Sequence, residues 1–348
     1  MSAVPAPRAV RIAFGRLGVR PHTRAAVAGL ASVAALLVLA LVALALGDFA
    51  VPLDRVLGAL LADDGTFASR IVREWRVPRM LAAVVFGAAL GLSGAVFQSL
   101  TRNPLGAPDV IGFSTGAYTG ALVALLVLGG GALLMAFGAL IGGLGTALLV
   151  YLLAYRGGVQ GFRLIVVGIG ATAMLAAVNN YLLIRAEAEA AVTGAIWAAG
   201  SLSLVRWEEL AVAAIAIAVI VPGVAALAPG LRQLELGDDA ARAHGLRIER
   251  ARVGLLVVGV ALIAVVTAVA GLIPFVALAA PQIAKRLGAT AGEPLVGSAL
   301  TGAVMLLGAD VVAQHVFPSQ IPVGVVTIVL GGLYLIALVA IEGRKRLA

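Results

Sequence analysis

Ten apolar runs, separated by short polar breaks, divide the chain at roughly 25–47, 80–99, 110–128, 132–154, 164–184, 209–227, 253–273, 275–284, 295–313 and 322–341. Most reach or approach the ~20 residues that carry a helix across a hydrocarbon core of about 30 Å. The eighth run is short and flanked by Pro274 and Pro281, so a half-helix or re-entrant piece is the alternative to a crossing. The pattern predicts an all-α polytopic membrane protein of about ten transmembrane helices. It has a basic arm at 1–24 and one transmembrane domain over 25–348. Two connections are long. The first, 48–79, opens at Asp48, carries a helical pattern VPLDRVLGALL and turns at Asp63-Asp64-Gly65. The second, 228–252, holds Gly237-Asp238-Asp239, where acids suit a helix N-terminus, and Gly245, which can close the helix. Two short helices on the membrane surface are expected there.

Composition agrees with the pattern. The chain of 348 residues is 62% hydrophobic and 12% charged, with a mean hydropathy of +1.09. A soluble chain has roughly 45–50% apolar and about 25% charged residues. The 43 glycines suit closely packed membrane helices. There is no cysteine, which excludes disulfides and thiol chemistry. The net charge of +8 reads as topology rather than nucleic-acid binding. With ten crossings and the N-terminus inside, 18 of the 25 Lys and Arg residues fall on the cytoplasmic side, including Arg8 to Arg24 and Arg344 to Arg346. An excess of that sign places both termini in the cytoplasm. The apolar run after the arm is too long for a cleaved signal peptide.

Two absences narrow the chemistry. No phosphate-binding loop surrounds Lys285 or Lys345, so this chain does not hydrolyse ATP. His22, His244 and His315 lie far apart and form no metal or hydrolase motif. Apart from Glu209, the first residue of the sixth run, the one acid within the ten runs is Asp310, near the outer end of the ninth. A surface or helix-end role is the plain reading, and a proton relay the functional one. Polar residues inside runs must find partners or water. Gln98, Ser114, Thr115, Asn179 and Asn180 are either interhelical links or the lining of a path, the latter favoured for Asn179 and Asn180. Arg76 and Arg79 flank Pro78 on the outer side, against the prevailing charge bias. They either pair with Glu74 or the Asp63-Asp64 turn, or dock an acidic extracellular partner through their forked donors.

Several stretches resemble one family. They are Arg76-Val77-Pro78-Arg79; Ser93-Gly94-Ala95 with Gln98; Arg102-Asn103-Pro104-Leu105-Gly106; and Leu236-Gly237-Asp238-Asp239-Ala240-Ala241-Arg242. Further along come Phe275-Val276-Ala277-Leu278 with Pro281-Gln282 and Arg286, then Ala309-Asp310, then Ile321-Pro322-Val323-Gly324. Over nearly its whole length the chain is similar to the permease subunits of ATP-binding-cassette importers for ferric siderophores, haem and cobalamin. FQSLTRNPLGAPDVIGFSTGA and GGLYLI look most like the ferric-enterobactin-type branch. The resemblance implies a second permease subunit, identical or related, two ATPase subunits that carry ATP and Mg, and an extracytoplasmic binding protein. No cofactor is implied on this chain, and no nucleic-acid partner. It assigns Arg76 and Arg79 to docking of the binding protein. A third family arginine falls where this chain has Gln314. Seating of the ATPase falls on Gly237, Asp238, Asp239, Ala241, Arg242 and Gly245. Gly161 and Phe162 match the cytoplasmic gate, and Gln282 stands where many members have His. The competing classes are a carrier driven by protons or sodium, for which Asp310 is the sole candidate, and a membrane enzyme or scaffold, for which no catalytic constellation exists.

Overall fold

A computed structural model describes residues 12–14, 17–19, 23–47, 49–62, 65–155, 161–290 and 292–347. Apart from a short antiparallel pairing of Ile12–Phe14 with Leu17–Val19, the described residues form a helical bundle. Helix α1 is Thr23–Ala45. Two short helices follow, α2 at Leu53–Leu61 and α3 at Phe67–Arg70, the latter running through a π-helical turn into α4, Val77–Thr101. Then come α5 at Phe113–Leu122, α6 at Ala132–Ala154, α7 at Gly161–Arg185 and α8 at Ala188–Ala198. The second half holds α9 at Trp207–Glu235, α10 at Asp238–Ala243, α11 at Ile248–Ala270, α12 at Val276–Gly288, α13 at Leu295–His315 and α14 at Val323–Leu347.

Each of the ten predicted runs is met by a helix, and among the described residues seven stretches are long and apolar enough to cross a membrane. Three expectations need correction. The inner connection holds one short helix, α10, because α9 and α11 extend into it and take the rest. The outer connection 48–79 does contain the predicted helix, as α2, but its last third is the entry into α4. The stretch after the fifth run, where no helix is predicted, contains α8. The Asp63-Asp64 turn and Asp48 lie outside the described residues, as does most of the 1–24 arm.

Helix α4 is the post of the bundle. Two-thirds of its apolar window is buried, against 11% in α1, so α4 runs through the interior and α1 along the outside. Its small residues make this possible. A Cβ at Gly87, Gly91 or Gly94 would run into the carbonyl oxygens of Gly302, Ser298 and Ala277. Membrane helices gain little from the hydrophobic effect, and close backbone approach supplies dispersion contacts instead.

The eighth run is a broken span. Ser93 on α4 donates to the Gly259 carbonyl on α11 at 2.7 Å. Eleven residues further on, α11 ends at Ala270, about 16 Å closer to the Arg79 end at 1.5 Å per residue. The next helix, α12, already packs at Gly94, one residue from Ser93. Residues 271–275 must therefore return most of that distance without helix, and an extended chain of roughly 3.3 Å per residue does so. Backbone outside a helix is tolerated at such depth only where protein or water satisfies it. The Phe275 N–H donates to the Asp109 carboxylate, which Ser114 also hydrogen-bonds. Ser201 N–H donates to the Ala270 carbonyl at 2.8 Å.

Candidate functional site

Two ends of α4 carry charge, and each is tied to a distant segment. At one end α4 stops because Arg102 turns left-handed, at φ 49°. Its guanidinium then reaches α9, donating to the Leu234 carbonyl at 2.9 and 3.2 Å. This satisfies one of the carbonyls a helix end leaves unpaired. The same guanidinium forms an ion pair with Asp238, the first residue of α10. From the other side Arg252, near the start of α11, donates to both Asp238 oxygens at 2.9 Å. Burial alone would raise the Asp238 carboxyl, but the hydrogen bond from Arg102 and the charges of Arg252 and Arg102 hold it below the ordinary carboxylate range. One carboxylate thus fastens α10 to α11 and, through Arg102, to α4 and α9.

Beside this clasp, Glu235 accepts from Ser99 at 3.3 Å and from the Glu293 N–H at 3.1 Å, and Lys285 pairs with Glu293 at 2.9 Å. Gly237, φ 109°, precedes the first residue of α10, and the chain turns after the helix at Gly245, φ 80°. Ala241 is buried. Asp239 and Arg242 pair at 3.1 Å on the open face, joined there by exposed Leu236 and His244. The result is a helix held rigidly from beneath and presented outward.

At the opposite end Arg79 and Asp310 form a forked pair, Nε to the two carboxylate oxygens at 3.2 and 3.1 Å and Nη2 at 2.9 Å. Asp310 is 1% exposed and Arg79 13%. Gln314, one turn along α13, adds a hydrogen bond at 2.5 Å. Asp310 is therefore no surface or capping acid: it is buried against Arg79 and Gln314. Arg76 donates to the Leu44 and Phe49 carbonyls at 2.7 and 2.5 Å, closing the end of α1. Glu74 pairs instead with Arg70, at 3.9 Å on the surface.

The interior candidates separate. Gln98 is buried, donates to the Leu278 carbonyl at 2.8 Å and accepts from Gln282 at 2.5 Å, so the two glutamines stitch α4 to the half-helix α12. Asn179 is buried, within 3.5 Å of the Thr115 carbonyl, with its own amide oxygen unpartnered, while Asn180 is exposed on another face of α7. Phe162 is 81% exposed at the start of α7, next to Gly161, and residues 156–160 before it lie outside the described ones. Among the described residues no group of three or more His, Cys, Asp or Glu could hold a metal.

Sequence reading missed Arg252, Glu235 and Asp109 as site residues. Arg252 offered only the signal of a cation at a helix start. The motifs around Arg102 and Asp238 were visible separately, but not their union across 136 residues.

The profile of the FecCD transport family matches residues 35–340. The chain is 49% identical over 294 residues to the ferric enterobactin transport system permease protein FepG of Escherichia coli (strain K12), covering 84% of this chain and 89% of that one. It is 34% identical to the Fe(3+)-citrate import system permease protein YfmE of Bacillus subtilis, over 89% of this chain and 94% of that one. The hemin transport system permease protein HmuU of Yersinia pestis is 34% identical over 78% of this chain and 83% of its own length. Among solved structures, an inward-facing metal-chelate type ABC transporter superposes with a TM-score of 0.79, covering 91% of this chain and 99% of that one. At 24% identity that likeness speaks to the fold alone.

Proposed function

The chain belongs to the FecCD transport family, and we propose that it is the membrane permease subunit of an ATP-driven importer that carries a ferric siderophore across the cytoplasmic membrane by alternating access. The observation that carries the mechanism is the Asp238 clasp. A short surface helix tied by one carboxylate to the ends of α4, α9 and α11 passes a push from outside into the transmembrane helices. In this reading one of two ATPase subunits seats on α10 and its flank, through the open face of Leu236, Asp239 and Arg242, and the other on the second permease. Gly237 and Gly245 set the turns around that helix, and buried Ala241 seats it on the bundle. ATP and Mg reside on those partners. This chain is a transport subunit rather than an enzyme, and it uses no cofactor of its own.

A second permease copy or relative completes the path. Exposed Asn180 on α7 faces that path, with Asn179 and Gln98 behind it, and Phe162 beside Gly161 narrows its cytoplasmic mouth. Both termini lie in the cytoplasm, as the Lys and Arg distribution favours. An extracytoplasmic binding protein docks over Arg76 and Arg79. Since Arg79 is held by Asp310, a docking carboxylate competes with Asp310 for the same fork.

The substrate class rests on the FepG-like identity. Radioiron uptake with and without the gene tests it, using ferric catecholates, ferric hydroxamates, haem and labelled cobalamin. Selective loss of one ferric siderophore is expected. Loss of haem uptake instead moves the substrate to the class named for the hemin permease relative. Uptake that survives removal of every ATPase but collapses with the ion gradient overturns the importer reading.

A further inference from the structure

A cavity of about 840 Å³ lies between α1, α9 and α13, on the Asp238 half of the bundle. It falls within the ~300–1,000 Å³ of ligand sites. Its wall is apolar, with Gly29, Val221, Ala225 and Leu300 among its residues. It reaches from Ala25 and Arg232, at helix ends, to Val221 and Thr301 well inside their helices. From Val221 to Arg232 is about 16 Å along α9 at 1.5 Å per residue. A hydrocarbon chain entering from the near leaflet has that length to occupy.

The mouth is polar and of two signs. Arg232 lines it and is exposed. Arg24, the neighbour of lining residue Ala25, caps α12 through the Leu287 and Arg286 carbonyls at 3.1 and 3.3 Å. Glu293 also lines it. Its side chain is 8% exposed, one carboxylate oxygen is taken by Lys285, and the other is buried with no hydrogen-bond partner. A buried carboxylate oxygen left unpaired is costly, and a donor from outside the chain would remove that cost.

We propose that this cavity is a binding site for one phospholipid of the cytoplasmic leaflet with a primary ammonium headgroup, a phosphatidylethanolamine. An acyl chain fills the apolar wall, the phosphate lies toward Arg232 and Arg24, and the ammonium, entering at the mouth, turns the Glu293 side chain and donates to its free oxygen. The arrangement selects headgroups. Phosphatidylcholine has no N–H to give, and phosphatidylglycerol brings a hydroxyl where the carboxylate favours a cation. A lipid seated here would wedge α1 against α9, whose adjoining end carries the Asp238 clasp.

The test is native mass spectrometry of the full-length chain, delipidated in detergent and offered phosphatidylethanolamine, phosphatidylcholine or phosphatidylglycerol. The expected result is one tightly retained phosphatidylethanolamine, held about tenfold better than either competitor, the ratio of one charge-assisted hydrogen bond. Gly29→Leu, which fills the wall, should abolish retention. Arg232→Gln should weaken it about tenfold, and Glu293→Gln should erase the preference for the ammonium headgroup. Melting curves identify any variant that has merely lost its fold. Equal retention of all three lipids, or retention untouched by both Gly29→Leu and Arg232→Gln, overturns the proposal. So does retention that appears only after residues 1–22 are removed, which would give the cavity to the chain's own arm.

Discussion

The two ends of α4 solve the same problem, a charge at a membrane helix terminus, in opposite ways. At the Arg79 end one arginine and one aspartate bury each other as a closed pair. At the Arg102 end a half-exposed aspartate is shared by two arginines that belong to different helices. A closed buried pair holds two helices in register, and an outside carboxylate reaches its arginine only by displacing Asp310. A shared, part-open carboxylate joins several elements and leaves the short helix it anchors available for contact. The first design favours stability and the second transmission.

The largest effect separating the two belongs to the buried pair. Asp310→Ala should lower stability by about 3–5 kcal/mol in a detergent melt, because Arg79 is left buried and unpaired. Arg79→Leu combined with Asp310→Leu should recover most of that loss, since removing both charges removes the desolvation cost. If the single and double variants melt alike, the pair is not the closed unit described.

At the other end Asp238→Ala should cost less, about 1–3 kcal/mol, as the loss of hydrogen bonds between charged groups that water partly replaces. The coupling of uptake to ATP hydrolysis should fall with it. Intact coupling in a destabilised Asp238→Ala protein would separate the clasp from transmission.

A pH series refines the same comparison. The Asp238 carboxyl is held below its ordinary value, so its stabilisation is fully present above the unfolded carboxylate value, roughly 3.9, and is lost as pH falls through the lower folded value. The melting difference between wild type and Asp238→Asn should stay level from neutral pH to about 4 and shrink below it. A difference that fades already near pH 6 would assign the effect to another group. Smallest of all in stability is Asp239→Lys. Its side chain is fully exposed, so the melt should not move. Uptake should drop if this face seats the ATPase, and a normal rate of uptake would clear the face of that role.

Periodicity and composition carried the fold far, because a membrane span announces itself within twenty residues of sequence. The same logic explains what stayed hidden. Helix α8 is broken up by Glu187, Glu189 and Thr193, so it lacks the apolar run that marked the other helices. For α12, shortness and its prolines were visible, but its starting depth depends on where α4 and α11 place it. Partners of the charged residues were out of reach. Arg79 and Asp310 are 231 positions apart, and no local pattern joins them. Asp310 therefore read as an acid at a helix end rather than half of a buried pair. The surface arginines were read as candidates for docking, and only the geometry shows Arg76 spending its donors on the end of α1.

The junction where Ser201 meets Ala270 extends to a third segment, since Gly324 N–H donates to the Gly200 carbonyl at 3.2 Å. All three meeting points are glycine-tight: a Cβ at Gly200, Gly271 or Gly324 would collide with the carbonyl of Leu272, Trp197 or Ala199. This has a consequence for how the protein is made. The turn after α8 emerges from the ribosome long before its partners exist, and at 5–20 residues per second the wait for residue 324 is on the order of ten seconds. For that interval the Gly200 carbonyl lacks the donor that Gly324 later supplies. The insertion machinery must keep the turn in a wet or sheltered place until the last helix arrives, so the final crossing is also the step that locks a segment synthesised in mid-chain.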